Sequence, residues 1–177
     1  MSVSLRFGRF AAAAFAALAL TGCAGMHVGS YLERGADFTR HRTYNWGPAD
    51  RLSTGDPRLD GNPFFHDRVR ADVERVLATR GFEKTASATP DVLVYYHTNV
   101  TQQLLASDID RPIGDDRHDD SRAFVYEGGT LVVDFVDART NSLIWRGWAK
   151  GSVEGVIDNQ EWMEQKIDEA ITRILER

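Results

Sequence analysis

The chain has one cysteine, Cys23, so no disulfide can form within it. It has no surplus of positive charge: 21 Lys and Arg stand against 26 Asp and Glu, a formal net charge of −5. Residues 1–22 hold Arg6 and Arg9 and no acid, so the chain without them carries −7. Binding to nucleic acid is driven by cationic patches, and no Lys/Arg cluster reverses the balance locally, so nucleic acid is not an expected partner. Nor is there an apolar run of membrane-spanning length. The longest, Phe10 to Leu20, has eleven residues and would extend about 16 Å as a helix, against a hydrocarbon core of about 30 Å. Gly-x-Ser-x-Gly, a Walker-type loop and Gly-x-Gly-x-x-Gly are all missing. His27, His41, His66, His97 and His118 show no metal-ligand spacing. The expectation is a protein that is not an enzyme and holds no metal or cofactor.

What is present begins at the N-terminus. A short basic start, an apolar run of signal-peptide length and the sequence Leu20-Thr21-Gly22-Cys23 follow one another. This order resembles the signal peptide and lipobox of bacterial lipoproteins. The resemblance implies cleavage before Cys23, diacylglyceryl attachment to its thiol and acylation of its new amine. Two or more acyl chains give stable rather than reversible anchoring. Ala24, where an aspartate would signal inner-membrane retention, implies delivery to the outer membrane with the domain facing the periplasm. The expected organisation is a signal peptide over 1–22, a lipidated short tether over 23–29 and one α+β domain over 30–177. That length suits a single domain with a real core.

Along the domain, Val28–Leu32 and Thr43–Trp46 read as strands, and Gly47–Gly61, rich in proline, glycine and aspartate, as a loop. Asn62-Pro63 opens a helix whose apolar stripe is Phe65, Val69, Val73, Val76 and Leu77, with Arg68, Arg70, Asp72, Glu74 and Arg75 on or flanking the other side; Gly81 stops it. Val92–Val100 is a strand with Val92, Val94, Tyr96 and Val100 facing the core. Residues 105–122 form an acidic flexible loop. Thr130–Val153 reads as a hairpin turning around Ala138–Ser142, with Phe135 opposite Trp145 and Asp134 opposite Arg146. Asp158 and Glu161 are placed for a capping box on a last helix striped by Met163, Ile167, Ala170, Ile171 and Ile174. The predicted order is β-β-α-β-β-β-α. It implies a two-layer α+β fold, an antiparallel or mixed sheet with two helices on one face.

The residues Asp37-Phe38, Thr43-Tyr44-x-Trp46, Asn62-Pro63, Pro90-Asp91 and Gly129-Thr130-Leu131-Val132-Val133-Asp134-x-Val136-Asp137, with Thr140 and Leu143-Ile144-Trp145-Arg146-Gly147-x-Ala149, resemble the DUF4136 family of bacterial lipoproteins. The resemblance runs from about residue 28 to the end. It implies a periplasm-facing α+β lipoprotein domain and supplies no catalytic residues, because the family's function is unknown.

Candidate sites are few. Asp108, Asp110, Asp115, Asp116, Asp119, Asp120 and His118 could gather a cation, but Pro112 and Ile113 stand where a calcium loop needs a ligand and a glycine, so a solvated loop is the simpler reading. Asp134 and Asp137 are close enough for acid–base work; pairing of Asp134 with Arg146 and turn formation by Asp137 are the simpler roles. Tyr95, His97 and Trp148, with Tyr44 beside them, are candidates for a binding surface on the helix-free sheet face. The expected role is a non-enzymatic interaction or maintenance module, tied to the membrane through its lipid and meeting an envelope protein. The alternative is an auxiliary lipoprotein of an envelope lipid or amphiphile transport system.

Overall fold

Side chains that accept otherwise orphaned amide protons fix where the helices begin. A computed structural model describes residues 25–36, 40–48, 54, 56–86, 89–104 and 125–176. The order is β1 (His27–Leu32), β2 (Thr43–Trp46), α1 (Pro57–Asp60), α2 (Pro63–Thr79), β3 (Glu83–Lys84), β4 (Val92–Leu104), β5 (Val125–Asp137), β6 (Leu143–Ser152) and α3 (Gln160–Leu175). Asn62 accepts from the amide of Phe65, and Pro63 begins α2. Gly81, at φ 79°, lets the chain reverse so that the Phe82 amide reaches back to the Leu77 carbonyl at 3.0 Å. Asn159 caps α3 by accepting from Trp162. The Asp158–Glu161 capping box is therefore corrected: the cap lies one residue later, on a side chain that reaches the free amide directly.

The sheet is mixed, with strand order β1-β6-β5-β4-β2-β3. β1, β6, β5 and β4 pair antiparallel, and β2 runs parallel to both β3 and β4. Asp134 lies opposite Arg146 and Phe135 opposite Trp145 as expected, but the turn is not symmetric: the register shifts after Phe135, so that Val136 pairs with Leu143 and Ile144 is the extra residue of a β-bulge. Alternation sends Val92, Val94, Tyr96, Leu131, Val133, Phe135, Trp145 and Ala149 to one face, where the stripes of α2 and α3 meet them in the core. Gly147 permits a close approach there. A Cβ at that position would sit 2.3 Å from the Trp145 ring and 2.6 Å from Cγ2 of Ile174.

Several elements depart from expectation. The segment read as loop over 47–61 contains a turn of helix, α1, capped by Asp56 at 2.8 Å from the Arg58 amide and burying Leu59. β3 adds a short parallel edge. β4 continues past Val100 to Leu104, and β5 starts at Val125 rather than Thr130. β1 begins at His27, inside the segment read as tether, and Met26 already belongs to the core. Asp72, expected on the outer side of α2, is buried. Arg68 binds it at 2.8 Å and reaches Glu164 on α3 at 2.5 Å, while Arg75 pairs with Asp168 at 2.6 Å. The polar side of α2 is thus the seam between the two helices. Among the described residues no helix is long and apolar enough to cross a membrane.

Candidate binding site

The helix-free sheet face is built by the alternate residues of the same strands. His97, Val132 and Trp148 form one row across it, with Gly29 at the end. Tyr95, Asp134, Arg146 and Tyr31 form the next. Trp148 is 36% exposed, and its indole lies over Gly29, where a Cβ would come within 2.3 Å of the ring. Tyr31 is 47% exposed, and its hydroxyl bonds Glu33. Arg146 grips Asp134 through two bonds of 2.6 Å, and His97 Nε2 lies 3.5 Å from the same carboxylate. That grip holds the guanidinium in its charged form above its usual range. Tyr95, expected on this surface, is 5% exposed: the chain leaving β2 crosses its ring at Gly47, where any Cβ would collide with it. Tyr44 faces the other way. It pairs with Val92 on the core side, and burial pushes its hydroxyl up to about 12. The face therefore offers His97, Trp148, Tyr31 and Arg146.

At the end of the sheet near the β5–β6 turn lies a groove of about 750 Å³, with His41, Asp91, Asp137 and Thr140 among its walls. Its carboxylates are engaged in holding loops. Asp91 accepts from the amides of Arg42 and Thr43 and from the Thr43 hydroxyl at 2.8–2.9 Å. Asp137 accepts from the amides of Arg139 and Thr140 and from the Thr140 hydroxyl at 2.7–3.0 Å, with His41 Nε2 at 3.5 Å from its second oxygen. The backbone N–H of Arg42, then those of Thr43, hold Asp91 below the usual carboxylate range; for Asp137 the N–H of Thr140 leads. These are the two aspartates that the turn and strand motifs carry.

A third feature lies between the layers, at the opposite end of the sheet. The core-facing row there runs Val100, Gly129, Gly151, and the next carries Ala149 beside Leu131. The glycines admit other parts of the chain: a Cβ at Gly129 would meet the Val153 side chain at 2.5 Å, and one at Gly151 the Gly25 carbonyl at 3.2 Å. Beside them lies a cleft with a cavity of about 70 Å³, walled by Met26, Phe65, Leu131, Met163, Ile167 and Ala170. Among the described residues, Lys166, on α3, is the one charged residue in its lining. The sequence reading missed this site. Its only trace there is small residues at alternate positions of β5 and β6.

Among the described residues no three His, Cys, Asp or Glu side chains gather as a metal ion requires. Cys23, the lipobox Leu20-Thr21-Gly22, Asp37-Phe38 and the acidic segment 105–122 with His118 lie outside the described residues.

Residues 28–177 match the model of a family described as Domain of unknown function (DUF4136). No curated protein matches the chain. Among solved structures, a PDZ domain protein from Parabacteroides distasonis ATCC 8503 is similar with a TM-score of 0.53 at 14% identity, over 89% of this chain and 37% of that one. This chain thus spans little more than a third of that protein, and the likeness is one of fold. Two PelC dodecamer structures from Paraburkholderia phytofirmans give TM-scores of 0.48 and 0.47 at 6% and 7% identity, over 85% of this chain and 94% and 95% of theirs.

Proposed function

The chain belongs to the DUF4136 family, whose function is unknown, and on that premise we propose that it is a lipid-anchored envelope lipoprotein of the outer membrane. Its periplasm-facing domain acts as a non-enzymatic binding module. The observation that carries the reading is the short join between anchor motif and fold. Cys23 stands three residues before Met26, which is already in the core. Three extended residues reach at most about 11 Å, so a lipid on Cys23 would hold the domain against the headgroups. The face bearing Trp148, Tyr31, Arg146 and His97 begins on β1, the strand next to the anchor. Aromatic and arginine side chains are the usual anchors of protein–protein contacts, which supports an envelope protein as partner.

Metabolic labelling with palmitate tests the anchor. Wild type is expected to incorporate label and to sediment with membranes, while Cys23→Ser stays unlabelled. Equal labelling of both would overturn the reading.

A second reading is favoured by the apolar cleft between α3 and the sheet. In it the domain is an auxiliary lipoprotein handling an amphiphile of the envelope.

A further inference from the structure

We infer that the cleft between α3 and the Gly129–Gly151 end of the sheet is a binding site for a single-chain anionic amphiphile of the fatty-acid type. The alkyl end would enter the cavity and the carboxylate would pair with Lys166. The inference rests on the second reading above and does not depend on the anchor.

Three observations carry it. The first is the lining. Among the described residues that wall the cleft, the polar ones are Thr98, Thr130 and Lys166; alternation turns the Thr130 side chain to the other face, and the Thr98 hydroxyl already donates to the Thr130 carbonyl at 2.9 Å. A water placed there would lack the two to four partners that hold a buried water, so the space suits hydrocarbon. The second is size. At about 70 Å³ the cavity is half the roughly 150 Å³ that accepts a benzene ring in an engineered core. That volume takes a few methylene groups rather than a ring. Val100, Val153, Val156 and Ile157 extend the apolar wall outward, so a longer chain lies along the open part of the cleft. The third is charge. Lys166 is the only charged residue among the described residues of the lining, and Glu169 lies 3.9 Å from it. Glu169 is held more closely by Arg173 at 2.9 Å. The ammonium is therefore loosely paired, and a carboxylate at the rim would improve its surroundings.

The site also has a cause in the sequence. Gly129 and Gly151 face each other across β5 and β6, so at that level the layer is filled by Val153 and the Gly25–Met26 backbone, which lie against the glycines, and Met26 and Val153 become walls of the cleft. Ala170 answers them from α3. A larger residue at Ala170 would occupy the cavity directly.

Titration calorimetry on the full chain carrying Cys23→Ser, with laurate and 1-dodecanol as probes, tests the site. Laurate is expected to bind once per chain. Ala170→Leu should weaken it at least tenfold with the melting temperature retained. Lys166→Gln should weaken laurate about tenfold and leave 1-dodecanol unchanged. If Ala170→Leu fails to fold, Val156→Trp, which closes the mouth from a half-buried position, gives the same reading. No binding by the parent chain, or undiminished binding by a folded chain with the cavity or mouth filled, would overturn the site. Equal loss of both probes in Lys166→Gln would overturn the anionic head. Palmitate labelling is read separately: a labelled protein blind to laurate removes only the site, and an unlabelled one that binds laurate removes only the anchor.

Discussion

At Arg146 and Asp134 a charged pair sits in the middle of a sheet. Asp134 is 4% exposed, and both its oxygens are held by one half-exposed guanidinium. Removing the guanidinium leaves a carboxylate that water reaches poorly, which costs more than the pair itself contributes. Arg146→Leu should lower stability by about 2 kcal/mol, the magnitude of a lost charge-assisted bond. The double change with Asp134→Val should recover most of that loss. Urea unfolding of the four chains in the cycle measures it; additive losses would mean that the pair is not coupled. This pairing was legible in the sequence, because the opposite charges fell in line across the expected hairpin; the β-bulge after Phe135, which lies between the pair and the turn, was not. Tyr95 was not. Its burial comes from Gly47, a backbone that crosses it from a loop, and alternation along β4 carries no information about what covers a face.

Among the elements, caps and stripes were legible because they are local. Asn62 with Pro63, Gly81 with Phe82, and the apolar stripes of α2 and α3 depend on residues within a few positions of one another. The extensions of β4 and β5 were hidden, since Thr101-Gln102-Gln103 has no apolar alternation and Gly128-Gly129 reads as a turn. α1 was masked by the same proline and aspartate that begin it. At Gly147 the side chains of Trp145 and of Ile174 on α3 lie directly against the strand backbone. Gly147→Ala should destabilise by about 1–3 kcal/mol, the ordinary cost of overpacking, and more if Trp145 cannot turn aside. Thermal melting checks it, and an unchanged midpoint would mean that the layer yields there.

At the scale of the whole molecule, four aspartates among the described residues are held below their ordinary range by the groups they bind: Asp56 by the Arg58 side chain, Asp60 by the Thr54 hydroxyl, Asp91 by the Arg42 amide and Asp137 by the Thr140 amide. A carboxyl with a depressed folded value stabilises the fold above its unfolded value and loses that contribution as pH falls. The urea midpoint should stay nearly level from about pH 7 to 5 and drop below about pH 4. Asp91→Asn with Asp137→Asn should lower the plateau and flatten the drop; an equally steep drop would place the acid sensitivity elsewhere. The two-layer arrangement was legible from the order of periodic segments. The cleft was not, because its walls come from the chain before β1, α1, α2, β4, β5, β6 and α3. Small residues acquire meaning there only once the register across strands is known.

β1 closes one edge of the sheet and is the first element among the described residues. Any tension drawn through the N-terminus enters the fold at Gly25 and runs along the strand. The six residue pairs that join β1 to β6 are bonded perpendicular to that direction. They are therefore loaded in shear and must give way together, not peel one after another. A chain drawn along β1 from Gly25 would meet its resistance at the outset, from the whole strand at once.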